Sequence, residues 1–131
     1  MRLLIDSHIF IGLARRSLKV DYPKLASIVA DPQNQCVLSV ASIWEITIKV
    51  RLGKLDAGLK PDKIEVYCDG AAIQILPISL EHAVAQLSPE PQTRDPFDRM
   101  LIWQAVATGH VLVSCDRKIE TDALPGLKVL W

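Results

Sequence analysis

Leu3-Leu4-Ile5-Asp6-Ser7-His8 and Val111-Leu112-Val113-Ser114-Cys115-Asp116 follow one plan: a short apolar run that stops at an aspartate. Uninterrupted apolar runs of this length read as strands buried on both faces, the kind that parallel sheets use. An acid immediately after such a strand lies at the carboxyl edge of the sheet, where open α/β sheets bind their ligands. Outward from these two stretches the chain alternates. Strands are expected at 2–6, 36–38, 73–76, 111–114 and 128–130, and helices at 7–16, 22–30, 39–54, 61–71, from Ser79, and at 95–108, with a short helical turn after Asp116. Residues 88–93 read as a loop, and Gly109 and Leu124-Pro125-Gly126 as turns. Strands alternating with helices predict an α/β fold whose mostly parallel, about five-stranded sheet is covered on both faces.

Composition narrows the function classes. With 131 residues, half of them apolar, the chain is expected to form a single domain over 1–131 with a real core, and the composition argues against disorder. No apolar stretch approaches the roughly 20 residues of a membrane span, and Asp6 interrupts any signal-peptide core. Cys36, Cys68 and Cys115 are odd in number and lack CxxC spacing, which argues against a zinc knuckle or a disulfide framework and fits a reducing cytoplasm. Fifteen basic and fifteen acidic residues balance. A nucleic-acid partner would therefore have to be drawn by a local basic rim together with a metal, not by overall charge.

Four acids carry the chemistry: Asp6, Glu45 in Ser42-Ile43-Trp44-Glu45, Asp98 in Arg94-Asp95-Pro96-Phe97-Asp98, and Asp116. Each has a structural explanation as well. Asp6 and Asp116 stand where helix N-caps stand, Ser42 and Glu45 have capping-box spacing, and Asp95-Pro96 reads as an N-cap followed by proline in the first turn. Asp95 is accordingly assigned to capping. Taken together, the other four would gather at one sheet edge and repel one another unless a cation neutralises them. An oxygen-only donor set without an accompanying His or Cys cluster favours Mg²⁺ or Mn²⁺ over zinc. That is the equipment of phosphodiester hydrolysis by an activated water.

The remaining polar residues are more ambiguous. Ser7 and Ser114 are small hydroxyls beside acids, suited to a carboxylate, a phosphate or a cap. Arg94, Arg99 and Arg117 accompany the acids in sequence, and Lys49, Arg51 and Lys54 follow Glu45; each is either solvated surface or a guide for phosphate. Ser7, Ser114, Arg99 and Arg117 are taken as the substrate-binding candidates. His8, His82 and His110 are scattered, and His8 is expected to be a structural histidine. Trp44 and Trp103 lie on apolar helical stripes and are expected in the core.

Leu-Ile-Asp-Ser-His at 4–8, Ser-Val-Ala-Ser-Ile-Trp-Glu-Ile at 39–46, Lys-Val-Arg-Leu-Gly-Lys-Leu at 49–55, Pro-Ile-Ser-Leu-Glu-His-Ala at 77–83, Arg-Asp-Pro-Phe-Asp-Arg-Met-Leu-Ile at 94–102 and Leu-Val-Ser-Cys-Asp at 112–116 together resemble PIN-domain proteins, specifically the VapC-type toxins of bacterial toxin–antitoxin pairs. The resemblance runs in order along nearly the whole chain. It implies a three-layer α/β/α PIN-like fold and a Mg²⁺- or Mn²⁺-dependent ribonuclease whose acidic site falls on Asp6, Glu45, Asp98 and Asp116. It also implies a homodimer and inhibition by a cognate VapB-type antitoxin. Ser7 stands where threonine is common, and Ser114-Cys115 replaces a more usual Thr-Ala; both changes keep a hydroxyl and leave every acid in place. Two rivals fit less well. A phosphoacceptor receiver domain would need adjacent acids after the first strand and an acid after a central one, but Ile5 precedes Asp6 and Pro77 ends the 73–76 strand. A non-catalytic PIN-like module that only binds RNA or a partner would be expected to lack some of the acids.

Overall fold

The computed structural model describes residues 1–117, 119 and 124–131. In chain order the elements are β1 (Arg2–Ile5), α1 (Ser7–Ala14), α2 (Leu18–Asp21), α3 (Pro23–Ala30), β2 (Gln35–Ser39), α4 (Val40–Arg51), a 3₁₀ turn at Pro61–Lys63 leading into α5 (Ile64–Gly70), β3 (Ile73–Leu76), α6 (Leu80–Val84), α7 (Pro96–Thr108), β4 (Val111–Val113) and β5 (Val129–Leu130). The expected short helix after Asp116 falls largely on 118 and 120–123, outside the described residues. The one-turn helix α2 has no counterpart in the sequence reading; Ser17 precedes it without a side-chain cap.

All five strands are parallel, in the order β3-β2-β1-β4-β5. Side-chain alternation along each strand sends residues to two different cores. Leu3 and Ile5 face one side with Leu38, Ile73 and Val113, where Ile9 and Phe10 of α1, Leu25 of α3, Ile46 of α4 and Ile64 of α5 cover them. Leu4, Val37 and Leu112 face the other, against Leu101, Ile102 and Ala105 of α7. The three layers expected from the resemblance are therefore present, with most helices on one face and α7 on the other.

The order of strands positions the site. β1, β2 and β3 proceed to one side, whereas β4 returns to pair with the other edge of β1, Ile5 opposite Val113. The crevice at such a reversal, beyond the carboxyl ends of the strands, is where doubly wound sheets bind ligands. Asp6 and Asp116 stand at the ends of the two strands that flank it. The order also departs from the 2-1-3-4-5 arrangement of receiver-type sheets, and β3 ends at Leu76 with no acid after it.

Helix boundaries bring in the other two acids. Ser39 caps α4, its hydroxyl accepting from the Ala41 N–H at 3.0 Å, so the helix starts three residues before the expected Ser42–Glu45 capping box. Ser42 lies inside the helix with its hydroxyl buried and without a hydrogen-bond partner among the described residues, and Glu45 is turned inward. Asp95 caps α7 as expected, accepting from the N–H groups of Phe97 at 2.8 Å and Asp98 at 3.3 Å. Gly109 ends α7 in the left-handed region at φ 72°.

Candidate active site

The four acids meet at the carboxyl edge of the sheet. Asp6 follows β1, and its backbone N–H donates to the Val113 carbonyl at 3.0 Å, extending the β1–β4 pairing by one residue. Its carboxylate caps α1, accepting from the Ile9 N–H at 2.8 Å, and takes a further hydrogen bond from the Ser114 hydroxyl. The same Ser114 oxygen accepts from the Asp116 N–H at 3.0 Å. One buried hydroxyl thus ties the ends of β1 and β4 together.

Glu45, only 4% exposed, accepts a short hydrogen bond from the Ser7 hydroxyl, and its other oxygen pairs with Lys49 one turn along α4 at 2.8 Å. Asp98 comes from the opposite face of the sheet, in the first turn of α7. Its carboxyl is pushed up to about 6, first by burial and then by the negative charges of Asp95, Glu45, Asp116 and Asp6. Burial likewise raises the Asp6 carboxyl above the ordinary range, with Glu45 adding to the rise and the Ser114 and Ile9 hydrogen bonds opposing it. Asp98 therefore stands near enough to Asp6, Glu45 and Asp116 to feel their charge.

The donors are carboxylate oxygens on or just beyond the strands and helices, and among the described residues Lys49 pairs with Glu45. Such a set fits a hard divalent cation, which Asp6, Glu45, Asp98 and Asp116 would hold. Beside them a groove of about 580 Å³ is lined by Thr93, Arg94, Asp95, Asp98, Asp116 and Arg117. Acids and arginines thus lie side by side along one groove.

The substrate-binding candidates divide. Arg117 lines the acid groove. Ser7 and Ser114 are buried and spend their hydroxyls on the carboxylates. Arg99 does not join the acids: its guanidinium donates to the carbonyls of Thr93 at 2.7 Å and Pro91 at 3.3 Å and pairs with Glu90 at 2.7 Å, holding the 88–95 loop instead. Trp44 is not in the core. With Ala41, Ser42, Glu45 and Ile46 forming the inward arc of α4, position 44 points outward; the indole is 61% exposed and meets Phe97 edge to face, with ring centroids 5.9 Å apart.

Two further corrections concern residues assigned away from the site. His8 is exposed rather than structural, and one donor atom each of Asp6, His8 and Cys115 lie within 4.8 Å of one another. The acid set therefore does have a His/Cys neighbour, contrary to the sequence expectation. Of Lys49, Arg51 and Lys54, Lys49 is the one that pairs with Glu45, and its i,i+4 spacing is the sequence signal for that pair.

A family model described as "PIN domain" matches residues 3–122. The chain belongs to the PIN domain family. Solved structures agree in fold. This PIN domain superposes on a chain of the crystal structure of VapBC2 from Rickettsia felis, bound to a DNA fragment from their promoter, with a TM-score of 0.69 at 16% identity, covering 99% of this chain and 98% of that one. It superposes on a chain of VapBC-1 from nontypeable Haemophilus influenzae with a TM-score of 0.65 at 19% identity, covering 99% and 97%. No curated protein matches the sequence. Among the described residues, no helix of this PIN domain is long and apolar enough to cross a membrane.

Proposed function

We propose that this PIN domain is a Mg²⁺- or Mn²⁺-dependent endoribonuclease that acts as the toxin of a VapBC-type toxin–antitoxin pair. The observation that carries this proposal is the convergence of Asp6, Glu45, Asp98 and Asp116, from both faces of the sheet, at the switch between β1 and β4. Similarity in fold to chains of VapBC structures supports the toxin assignment, as do the family motifs that carry all four acids.

When bound, a divalent cation supplies neutralisation of the scissile phosphate and acidification of an attacking water. The chain's own residues do the rest. Asp6 and Asp98 would be its main ligands, with Glu45 and Asp116 completing the pocket directly or through waters. Ser7 and Ser114 fix the rotamers of Glu45 and Asp6, so that the oxygens need not reorganise when the pocket fills. Lys49 offsets the charge of buried Glu45. Arg94 and Arg117 on the rim orient the RNA backbone along the groove. No side chain serves as a covalent nucleophile.

A cognate VapB-type antitoxin is the expected partner and a homodimer the expected assembly. A basic side chain of the antitoxin laid across the groove would satisfy the carboxylates and exclude the cation. The free Cys36, Cys68 and Cys115 suit a reducing cytoplasm. The test is cleavage of structured RNA with Mn²⁺, with EDTA, and by the Asp6→Asn variant. Cleavage is expected in Mn²⁺ alone; undiminished cleavage by Asp6→Asn, in a preparation free of other nucleases, would refute the proposal.

A further inference from the structure

A second set of donors lies on the other flank of Asp6. His8 projects from the first turn of α1, and Cys115 follows β4 between Ser114 and Asp116. One carboxylate oxygen, one imidazole nitrogen and the thiol sulfur of Asp6, His8 and Cys115 fall within 4.8 Å of one another. The three come from two adjacent strand ends and a helix start, so their backbones are fixed by the pairing of Ile5 with Val113. Beside them a cavity of about 340 Å³ is lined by His8, Ser17, Asp21, Tyr22 and Cys115, among others. The Tyr22 hydroxyl is hydrogen-bonded to the Cys115 sulfur. Cys115 thus lines this cavity while also packing against the edge of the core that encloses Cys68.

The donor types decide the ligand. A mixed oxygen, nitrogen and sulfur set suits zinc, whereas Mg²⁺ and Mn²⁺ prefer oxygen alone. A tetrahedral ion with bonds of about 2.0–2.3 Å spaces its donors by roughly 3.3–3.8 Å. The trio would have to contract by about an ångström, and exposed His8 is free to swing in. A water, or Asp21 across the cavity, is available for the fourth position.

We propose that Asp6, His8 and Cys115 form a site for a thiophilic divalent cation, zinc in particular, which takes the Asp6 carboxylate away from the neighbouring acid pocket. Binding displaces the thiol proton to solvent and leaves the sulfur as thiolate. Asp6 is the pivot: its two oxygens can serve the acid pocket or the His8–Cys115 side. Zinc on the second side would thereby inhibit phosphodiester cleavage, a consequence that rests on the ribonuclease proposal above, whereas the binding site itself does not.

The test uses Co²⁺ as a spectroscopic probe on the full-length chain under reducing conditions. A thiolate-to-cobalt charge-transfer band is expected in the wild type, abolished in Cys115→Ser, shifted to more than about tenfold higher Co²⁺ in His8→Ala, retained in Asp98→Asn, and displaced by Zn²⁺. Circular dichroism checks that each variant is folded; His8 is exposed, and Cys115→Ser exchanges a single atom at the core's edge. No band in the wild type, or a band that survives Cys115→Ser, would overturn the site. The regulatory part has its own arm. Zn²⁺ added to a Mn²⁺-dependent cleavage reaction is expected to inhibit the wild type at concentrations at least about tenfold below those that inhibit Cys115→Ser. Equal inhibition of both would overturn the competition while leaving the spectral result standing, and absence of any cleavage would count against the ribonuclease proposal alone.

Discussion

Replacing Asp98 by asparagine is expected to stabilise the cation-free protein above pH 6 and to leave it unchanged in acid. The folded-state carboxyl stands at about 6 against an ordinary 3.8, so folding favours its protonated form. Below 3.8 folded and unfolded chains both carry the proton and nothing is lost. As pH rises from 3.8 through 6 the folded state must give up a proton it holds more tightly than the unfolded chain does, and stability falls. At about 1.36 kcal/mol per pH unit the full displacement corresponds to about 3 kcal/mol. Solvent screening of a partly exposed group, and the favourable place of an acid in the first turn of α7, reduce this to roughly 1 kcal/mol. Asparagine keeps the shape and removes the charge. In EDTA at pH 7.5 its melting temperature should exceed that of the wild type by roughly 2–5 °C, with the gain shrinking to nothing near pH 3.5. Saturating Mn²⁺ should reverse the order, because a cation at a hundred times its Kd stabilises the wild type by about 2.7 kcal/mol. A variant less stable than wild type in EDTA at pH 7.5, or equally stabilised at every pH, would refute the charge-repulsion account.

Lys49→Ala removes the cation paired with buried Glu45, and is expected to destabilise the protein by about 1 kcal/mol or more in EDTA and by clearly less in Mn²⁺, as read by thermal denaturation in the two buffers. Ser39→Ala removes both the α4 cap and the hydrogen bond that the Ser39 hydroxyl makes to Gln104 Oε1 at 2.5 Å; a loss of roughly 1–3 kcal/mol in urea unfolding is expected. Gly109→Ala places a Cβ at φ 72° with open space around it, so the loss should reflect backbone strain alone, about 1 kcal/mol or slightly more, with no change in urea m-value.

The parts of the fold that local chemistry controls were legible in the sequence. Asp95-Pro96 and Gly109 delimit α7 to within a residue, because a capping acid, a proline in the first turn and a left-handed glycine each act through their own backbone. The 73–76 strand has the bounds expected of it, an apolar run cut off by Pro77. The acids were legible as a set for the same reason: strand ends are local features, and the topology of a parallel sheet sends them to one edge. Facing was less legible. Trp44 and Glu45 are neighbours on one helix, and hydrophobicity alone puts the tryptophan inside. The burial of Glu45 through Ser7 and Lys49 turns the helix so that Trp44 faces out. Contacts across the sheet were out of reach. His8 and Cys115 are more than a hundred residues apart, and only the pairing of β1 with β4 brings them together at Asp6.

The central claim is that four carboxylates from both faces of the sheet act as one cation site. Electron paramagnetic resonance titration of Mn²⁺ into the wild type, Asp98→Asn and Cys115→Ser measures this directly. The account predicts that Asp98→Asn weakens Mn²⁺ binding by at least about tenfold while Cys115→Ser leaves it unchanged; Mn²⁺ affinity unaltered by the loss of the Asp98 charge would contradict it.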